Sequence, residues 1–171
     1  MELFDLYDVN RIKTNKTLER GTTPPDGCYR MVVHLVILNG DKMLIQQRVP
    51  FARSWPNMWD LTCGGSAIAG ETSQQAMHRE ALEELGLDID FSKIRPIMSL
   101  NFESGWDDVY IIEKEIDLNS LKLQPEEVNS VRWATKEEIK DLIEKDQFIL
   151  YRNSYIDFIF EKRSNLGRPK K

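Results

Sequence analysis

Apolar residues alternate with polar ones through residues 2–9 and return through 12–18. This is the period of half-buried strands, with Asn10-Arg11 as the turn between them. A Thr-Thr-Pro-Pro-Asp-Gly run at 22–27 then breaks the chain. Residues 29–38 are rich in β-branched side chains, Asn39-Gly40 is a strong hairpin turn, and 42–47 form the second arm. Residues 58–62 read as a further strand delivering the chain to Gly64-Gly65. The period changes at 73–85, where Met77, Ala81, Leu82 and Leu85 make the apolar stripe of a helix. Thr72 is its N-cap, Gln75 completes a capping box, and Gly86 sits at the C′ position. Beyond it, 94–102 and 108–116 read as paired strands around a loop at 103–107. A connection at 121–127 leads to another strand at 128–133. Thr135 and Glu138 cap a helix over 136–146 with Ile139, Leu142 and Ile143 inward. Residues 151–162 form a last helix, with Tyr155, Phe158 and Ile159 at helical spacing. The order of elements predicts an α/β fold with a mixed sheet between helices.

The polar face of the 73–85 helix is the unusual feature. Glu80, Glu83 and Glu84 share it, and each like-charge pair at this spacing costs about 0.2–0.5 kcal/mol. Glu83 and Glu84 also occupy the last turn, where the helix dipole favours cations by about 0.3–1 kcal/mol. Helix stability alone would place Lys or Arg there, so a positive group is expected on that face. Gly64, Gly65 and Gly70 let the preceding loop bend and bring backbone carbonyls near the glutamates. Glu71 and Arg79 are placed to pair. Carboxylate and carbonyl oxygens suit a hard cation, Mg²⁺ with Mn²⁺ as the alternative, rather than zinc. His34, inside an apolar strand, reads as a satisfied core histidine rather than a ligand.

Composition narrows the class. At 171 residues and 41% hydrophobic content, the chain is long enough for one well-packed domain. Residues 1–27 read as an N-terminal hairpin extension of it and 163–171 as a flexible tail, whose Arg168-Pro169-Lys170-Lys171 end is a solvated terminus. A net charge of −5 speaks against binding a nucleic acid polymer. Cys28 and Cys63 give no disulfide framework and suit a reducing cytoplasm. The acidic N-terminus is unlike a signal peptide, and no apolar run reaches membrane-spanning length.

Gly65, Glu71, Arg79-Glu80, Ala81, Glu83-Glu84 and Gly86-Leu87 stand at the spacing that resembles the signature of the Nudix hydrolases. Gln46-Gln47-Arg48, Arg53, Trp55-Pro56, Trp59-Asp60 and Gly64-Gly65 narrow the resemblance to the branch containing isopentenyl-diphosphate isomerase and its hydrolase relatives. The resemblance implies a Nudix-type α/β/α sandwich and a metal-dependent hydrolase cleaving a diphosphate linkage in a nucleoside diphosphate derivative or related small molecule. It puts Glu80, Glu84 and Arg79 in the catalytic set, with Glu80 as base. It makes Gly64 (through its carbonyl), Glu80, Glu83 and Glu84 the metal ligands. Glu127 resembles the downstream glutamate such enzymes recruit, ahead of Glu103. Arg48 and Arg53 are expected to receive a phosphate, and Trp55, Trp106 or Tyr110 to stack on a base. Homodimers are common among such relatives. The isomerases carry a catalytic cysteine and a metal-binding histidine where this chain has Gly64 and Ser66, and another histidine roughly at Tyr29. Cys63 is one residue early and on the opposite face of its strand, so the residues favour a hydrolase over an isomerase or an inactive nucleotide-binding module.

Overall fold

The computed structural model describes residues 2–162; the tail expected at 163–171 lies outside the described residues. At the N-terminus, β1 (Leu3–Tyr7) and β2 (Lys13–Glu19) pair antiparallel as a hairpin. β1 buries Phe4, Leu6 and Tyr7. Tyr7 exchanges backbone hydrogen bonds of 2.8 and 2.9 Å with Tyr29. Arg11, in the turn at φ 63, donates twice to the Asp108 carboxylate at 2.9 Å. The hairpin is therefore fastened to the main sheet at two separate places.

That sheet has seven strands, β3 (Arg30–Asn39), β4 (Lys42–Arg48), β5 (Trp59–Asp60), β6 (Cys63–Ser66), β7 (Met98–Phe102), β8 (Gly105–Glu113) and β9 (Val128–Thr135). Its backbone order is β5-β4-β3-β8-β7, with β6 on β3 and β9 on β4. β3 and β8 run parallel, and the other pairs are antiparallel. β3 is covered on both faces. Leu35 and Ile37 join the core under α1 (Ser73–Leu85), while Val36 and Leu38 join the core under α2 (Lys136–Glu144) and α3 (Asn153–Lys162). A strand buried on both sides has no polar face, hence its nearly unbroken apolar run.

β3 and β4 pair only from Ile37 to Asn39 and from Lys42 to Leu44, then splay apart. The segment 59–66 enters the fork, β5 lying on β4 and β6 on β3. Thr62 fills the crotch: its hydroxyl accepts from the Ile37 N–H at 2.9 Å and donates to the Leu44 carbonyl at 2.6 Å. These bonds satisfy two backbone groups that the divergence leaves without ladder partners. The strand expected at 58–62 consequently shortens to Trp59–Asp60 and restarts at Cys63.

Other expectations also shift. The turn between β7 and β8 is only Glu103-Ser104, so Trp106 and Asp107 belong to β8 rather than to a loop. Trp106 is buried between Tyr7 and Tyr29, and Tyr110 is fully buried, so neither ring can stack on a substrate. Leu82, expected inward, is 47% exposed because it lies beyond the edge of the Met77, Ala81, Leu85 stripe. α2 ends at Glu144, two residues early, and Asp146 takes φ 53.

Candidate active site

α1 is held at both ends as its sequence predicts. Thr72 accepts from the Gln75 N–H, Gln75 reciprocates, and Gly86 closes the helix at φ 68. Its apolar stripe fixes which way the acidic face points. Glu80 and Glu84, one turn apart, are driven inward against β4 and β6 and are 8% and 2% exposed, whereas Glu83 stays outside. Under Glu80 lies Gly65, and any Cβ at that position would collide with the Glu80 carboxylate. A Cβ on Gly64, pointing to the other face, would strike the His34 ring and stand 2.6 Å from the Val33 carbonyl.

Arg79 supplies the positive charge the acidic face requires. Its Nε and Nη2 grip Glu71 at 2.8 and 3.0 Å, Nη1 reaches Glu80 at 2.9 Å and Glu83 at 3.0 Å, and Nη2 also donates to the Ser66 carbonyl at 3.1 Å. These five bonds match the five N–H groups of a guanidinium. Glu84 makes no ion pair among the described residues. Its Oε2 accepts from Gln46 Nε2 at 2.9 Å, and Gln46 Oε1 is left buried with no partner among them. Burial pushes the Glu80 carboxyl up to about 7 against the pull of Arg79, with the charges of Glu127 and Glu83 adding to it. Burial raises Glu84 well above the usual carboxylate range, and Glu80 and Glu127 push it further. Glu127, just before β9, thus acts electrostatically on both.

Among the described residues, no three His, Cys, Asp or Glu side chains converge on one metal-sized point in this arrangement, since Glu80 and Glu83 turn to Arg79 and Glu84 to Gln46. The donor set nevertheless fits a hard cation. It is all oxygen, Glu80 and Glu84 within it are buried, and Gly65 lets the Glu80 carboxylate lie where a side chain would otherwise stand. Glu80 Oε2 and Glu84 Oε1 have no protein partner among the described residues.

Behind this cluster lie further polar groups whose partners the linear sequence did not identify. His34 Nδ1 meets Asp107 Oδ1 at 2.8 Å, as expected for a satisfied core histidine; burial would lower its proton affinity, but Asp107 overrides that and lifts it to about 9. Asp60 is buried, accepts from the Leu61 N–H at 2.7 Å, and stands 4.0 Å from Arg48. Gln46 had a visible signal: it follows Leu44 by two on a strand face turned to α1, where a polar side chain needs a partner.

Beside the carboxylates opens a cleft of about 990 Å³. Arg48, Arg53, Ser66, Glu103 and Glu127 line it together with the segment 20–30. Trp55, 46% exposed at φ 52, stands outside that lining. Arg48 donates to the Ser54 carbonyl at 3.0 Å.

The NUDIX domain family model matches residues 29–153, the stretch that carries the sheet, α1, α2 and the carboxylate cluster. The chain belongs to the Nudix family. An uncharacterised Nudix hydrolase of Listeria innocua is 44% identical over 165 residues, covering 96% of each chain. An isopentenyl-diphosphate Δ-isomerase of Cutibacterium acnes is 30% identical over 115 residues, covering 60% of this chain and 58% of its own. Among solved structures, the Deinococcus radiodurans protein DR0079 superposes with a TM-score of 0.73 at 23% identity, over 98% of this chain and 100% of that one, and so shares the fold. As a Nudix hydrolase the protein hydrolyses phosphorus-containing acid anhydrides, and the family generally uses divalent metal ions. Among the described residues no helix is long and apolar enough to cross a membrane.

Proposed function

We propose that the protein is a Mg²⁺-dependent hydrolase, with Mn²⁺ as a substitute, that cleaves a diphosphate linkage in a nucleoside diphosphate derivative or related small molecule by water attack on phosphorus. The observation that carries this reading is Glu84, a buried carboxylate with no ion pair among the described residues, crowded by Glu80 and Glu127. Such a charge is costly alone and is stabilised by a dication.

Glu84, Glu80, Glu83 and the Gly64 carbonyl would hold the metal. When bound, it would neutralise phosphate charge and lower the pKa of a water ligand. Arg79 fixes Glu80 through Oε1, which leaves Oε2 to take the proton of the attacking water. A carboxylate with a proton affinity near neutrality suits that transfer. Gln46 holds Glu84 Oε2 and so directs Oε1 away from β4. Glu127 serves as the downstream acidic partner. Arg48 and Arg53, which line the cleft, would receive phosphate oxygens, and the exposed indole of Trp55 would meet the substrate's organic part. The two free cysteines support a cytoplasmic setting. The isomerase alternative gains no support from Cys63, which is 1% exposed in the α1 core with burial raising its thiol well above the ordinary range.

A Mg²⁺-dependent phosphate-release screen over nucleoside di- and triphosphates, nucleotide sugars, ADP-ribose, dinucleoside polyphosphates, prenyl diphosphates and coenzyme A tests the proposal. Turnover of at least one compound, abolished by EDTA, is expected. Conversion of isopentenyl diphosphate to an allylic isomer without phosphate release would overturn it.

A further inference from the structure

The cleft also carries guanidinium N–H groups that meet no protein acceptor among the described residues. Arg30, the first residue of β3, is half-buried and lines the cleft. One Nη1 hydrogen goes to Ser66 Oγ at 2.8 Å, and the guanidinium lies 5.5 Å from the centre of the Phe102 ring. A guanidinium has five N–H groups. The other four of Arg30 meet no protein acceptor among the described residues. Arg53 lines the same cleft, its Nη1 only 3.2 Å from where a Cβ on Gly21 would stand, and it too has no ion pair among the described residues. Arg20, next to Gly21 in sequence, is close enough that its charge, after burial, depresses the Arg30 guanidinium's proton affinity. Arg20 itself is satisfied at the surface by Glu2 at 2.8 Å. The carboxylates of the same cleft, Asp26, Glu103, Glu126 and Glu127, pair with neither Arg30 nor Arg53 among the described residues.

A guanidinium half-buried at the cleft, pinned by a hydroxyl and a ring, and with N–H groups left over makes a preorganised receptor for an anion rather than a solvated surface. We infer that Arg30, in the cleft that Arg48 and Arg53 also line, binds a phosphomonoester that the substrate carries in addition to the diphosphate being cleaved. This rests on the hydrolase reading above. Ser66 marks the boundary between the two regions, since its carbonyl accepts from Arg79 on the carboxylate side and its hydroxyl bonds Arg30 on the cleft side. The segment 20–30, which joins the N-terminal hairpin to β3, thereby becomes part of the specificity apparatus. A phosphate matches a guanidinium fork bidentately.

The test uses matched pairs that share a diphosphate and differ by one phosphomonoester: coenzyme A against 3′-dephospho-coenzyme A, and NADP⁺ against NAD⁺. In the wild type, the phosphorylated member of at least one pair should have a kcat/KM about tenfold or more higher, mostly through KM. Arg30→Ala should collapse that ratio and Arg30→Lys should retain part of it. Equal kcat/KM within both pairs overturns the inference. So does an Arg30→Ala variant that lowers both members by the same factor, which would put Arg30 on the scissile diphosphate or in a structural role. A second readout needs no turnover. In EDTA, inorganic phosphate titrated into the wild type should shift the Arg30 side-chain NMR resonance, and Arg30→Ala should bind phosphate measurably more weakly. Equal phosphate affinity in the two proteins refutes the receptor. Phosphate binding at Arg30 with no hydrolysis of any diphosphate would instead sink the hydrolase reading and leave the receptor standing.

Discussion

Replacing Glu80 by glutamine should make the metal-free protein more stable while destroying its activity. Burial moves the Glu80 carboxyl from its ordinary 4.5 to about 7. At 1.36 kcal/mol per pH unit, ionising it inside the fold costs about 3 kcal/mol. The sign follows from linkage. The unfolded chain gives up this proton near pH 4.5, whereas the folded chain keeps it until about 7. Stability is therefore full below the lower value and is lost as pH rises through the upper one. Glutamine preserves the Oε1 acceptor for Arg79 and removes the charge, at the cost of a new amide N–H₂ that needs a partner. Allowing about 1 kcal/mol for that amide, the variant should gain about 2 kcal/mol at pH 8. For a chain of this length that is roughly 4–8 °C in Tm. Thermal unfolding in EDTA at pH 5 and pH 8 measures it, with the gain expected at pH 8 and nearly absent at pH 5. A variant no more stable than wild type at pH 8, or stabilised equally at both pH values, would refute the reasoning that the site is a strained anion. Added Mg²⁺ should reverse the ranking, raising the wild type's Tm more than the variant's.

Four further outcomes follow from the same geometry. Glu84→Gln should keep the fold and lower turnover by orders of magnitude, since an amide holds a cation poorly; full activity at saturating Mg²⁺ would remove Glu84 from the ligand set. Gly65→Ala should lower kcat about tenfold or more with the far-UV spectrum unchanged, because the new methyl displaces the Glu80 carboxylate. Arg79→Ala should cost about 3 kcal/mol or more, as it strands the partly buried Glu71 and Glu80 charges, and urea unfolding at pH 8 would show it. Cys63→Ser should leave kcat nearly unchanged yet lower Tm, because a hydroxyl in that core loses about 1–3 kcal/mol unless it finds a partner; loss of turnover in a well-folded Cys63→Ser protein would revive an isomerase-like role.

How far the sequence could be read depended on the range of the interaction. The capping box at Thr72, the C′ glycine at Gly86 and the Glu71–Arg79 pair are set by neighbours no more than eight residues away, and all three are found. The hairpin of β3 and β4 was equally plain from Asn39-Gly40, though the turn proper is Gly40-Asp41. What escaped were partners delivered by strand pairing: Gln46 to Glu84, Arg30 to Ser66, and Thr62 at the fork, separated from their contacts by 38, 36 and 25 residues. Trp106 was misplaced for the same reason, since only the two-residue turn before it, fixed by the β7–β8 register, carries it from a loop into the core. Within the acidic face, sequence signalled the charge conflict but not its partial resolution, because Arg79 can satisfy Glu80 and Glu83 and cannot reach around to Glu84.

The splayed fork filled by residues 59–66 has one more implication. Because the inserted strand turns Gly65 rather than a side chain toward α1, and Gly64 rather than a side chain toward His34, the floor beneath the glutamates is made of main chain and tolerates almost no variation. Diversification toward new compounds is thereby pushed outward, into the Arg20–Arg30 stretch and the 48–54 loop, where residues can be exchanged without disturbing the hydrolytic step. Grafting those two segments between relatives of this fold should transplant selectivity while leaving the chemistry in place.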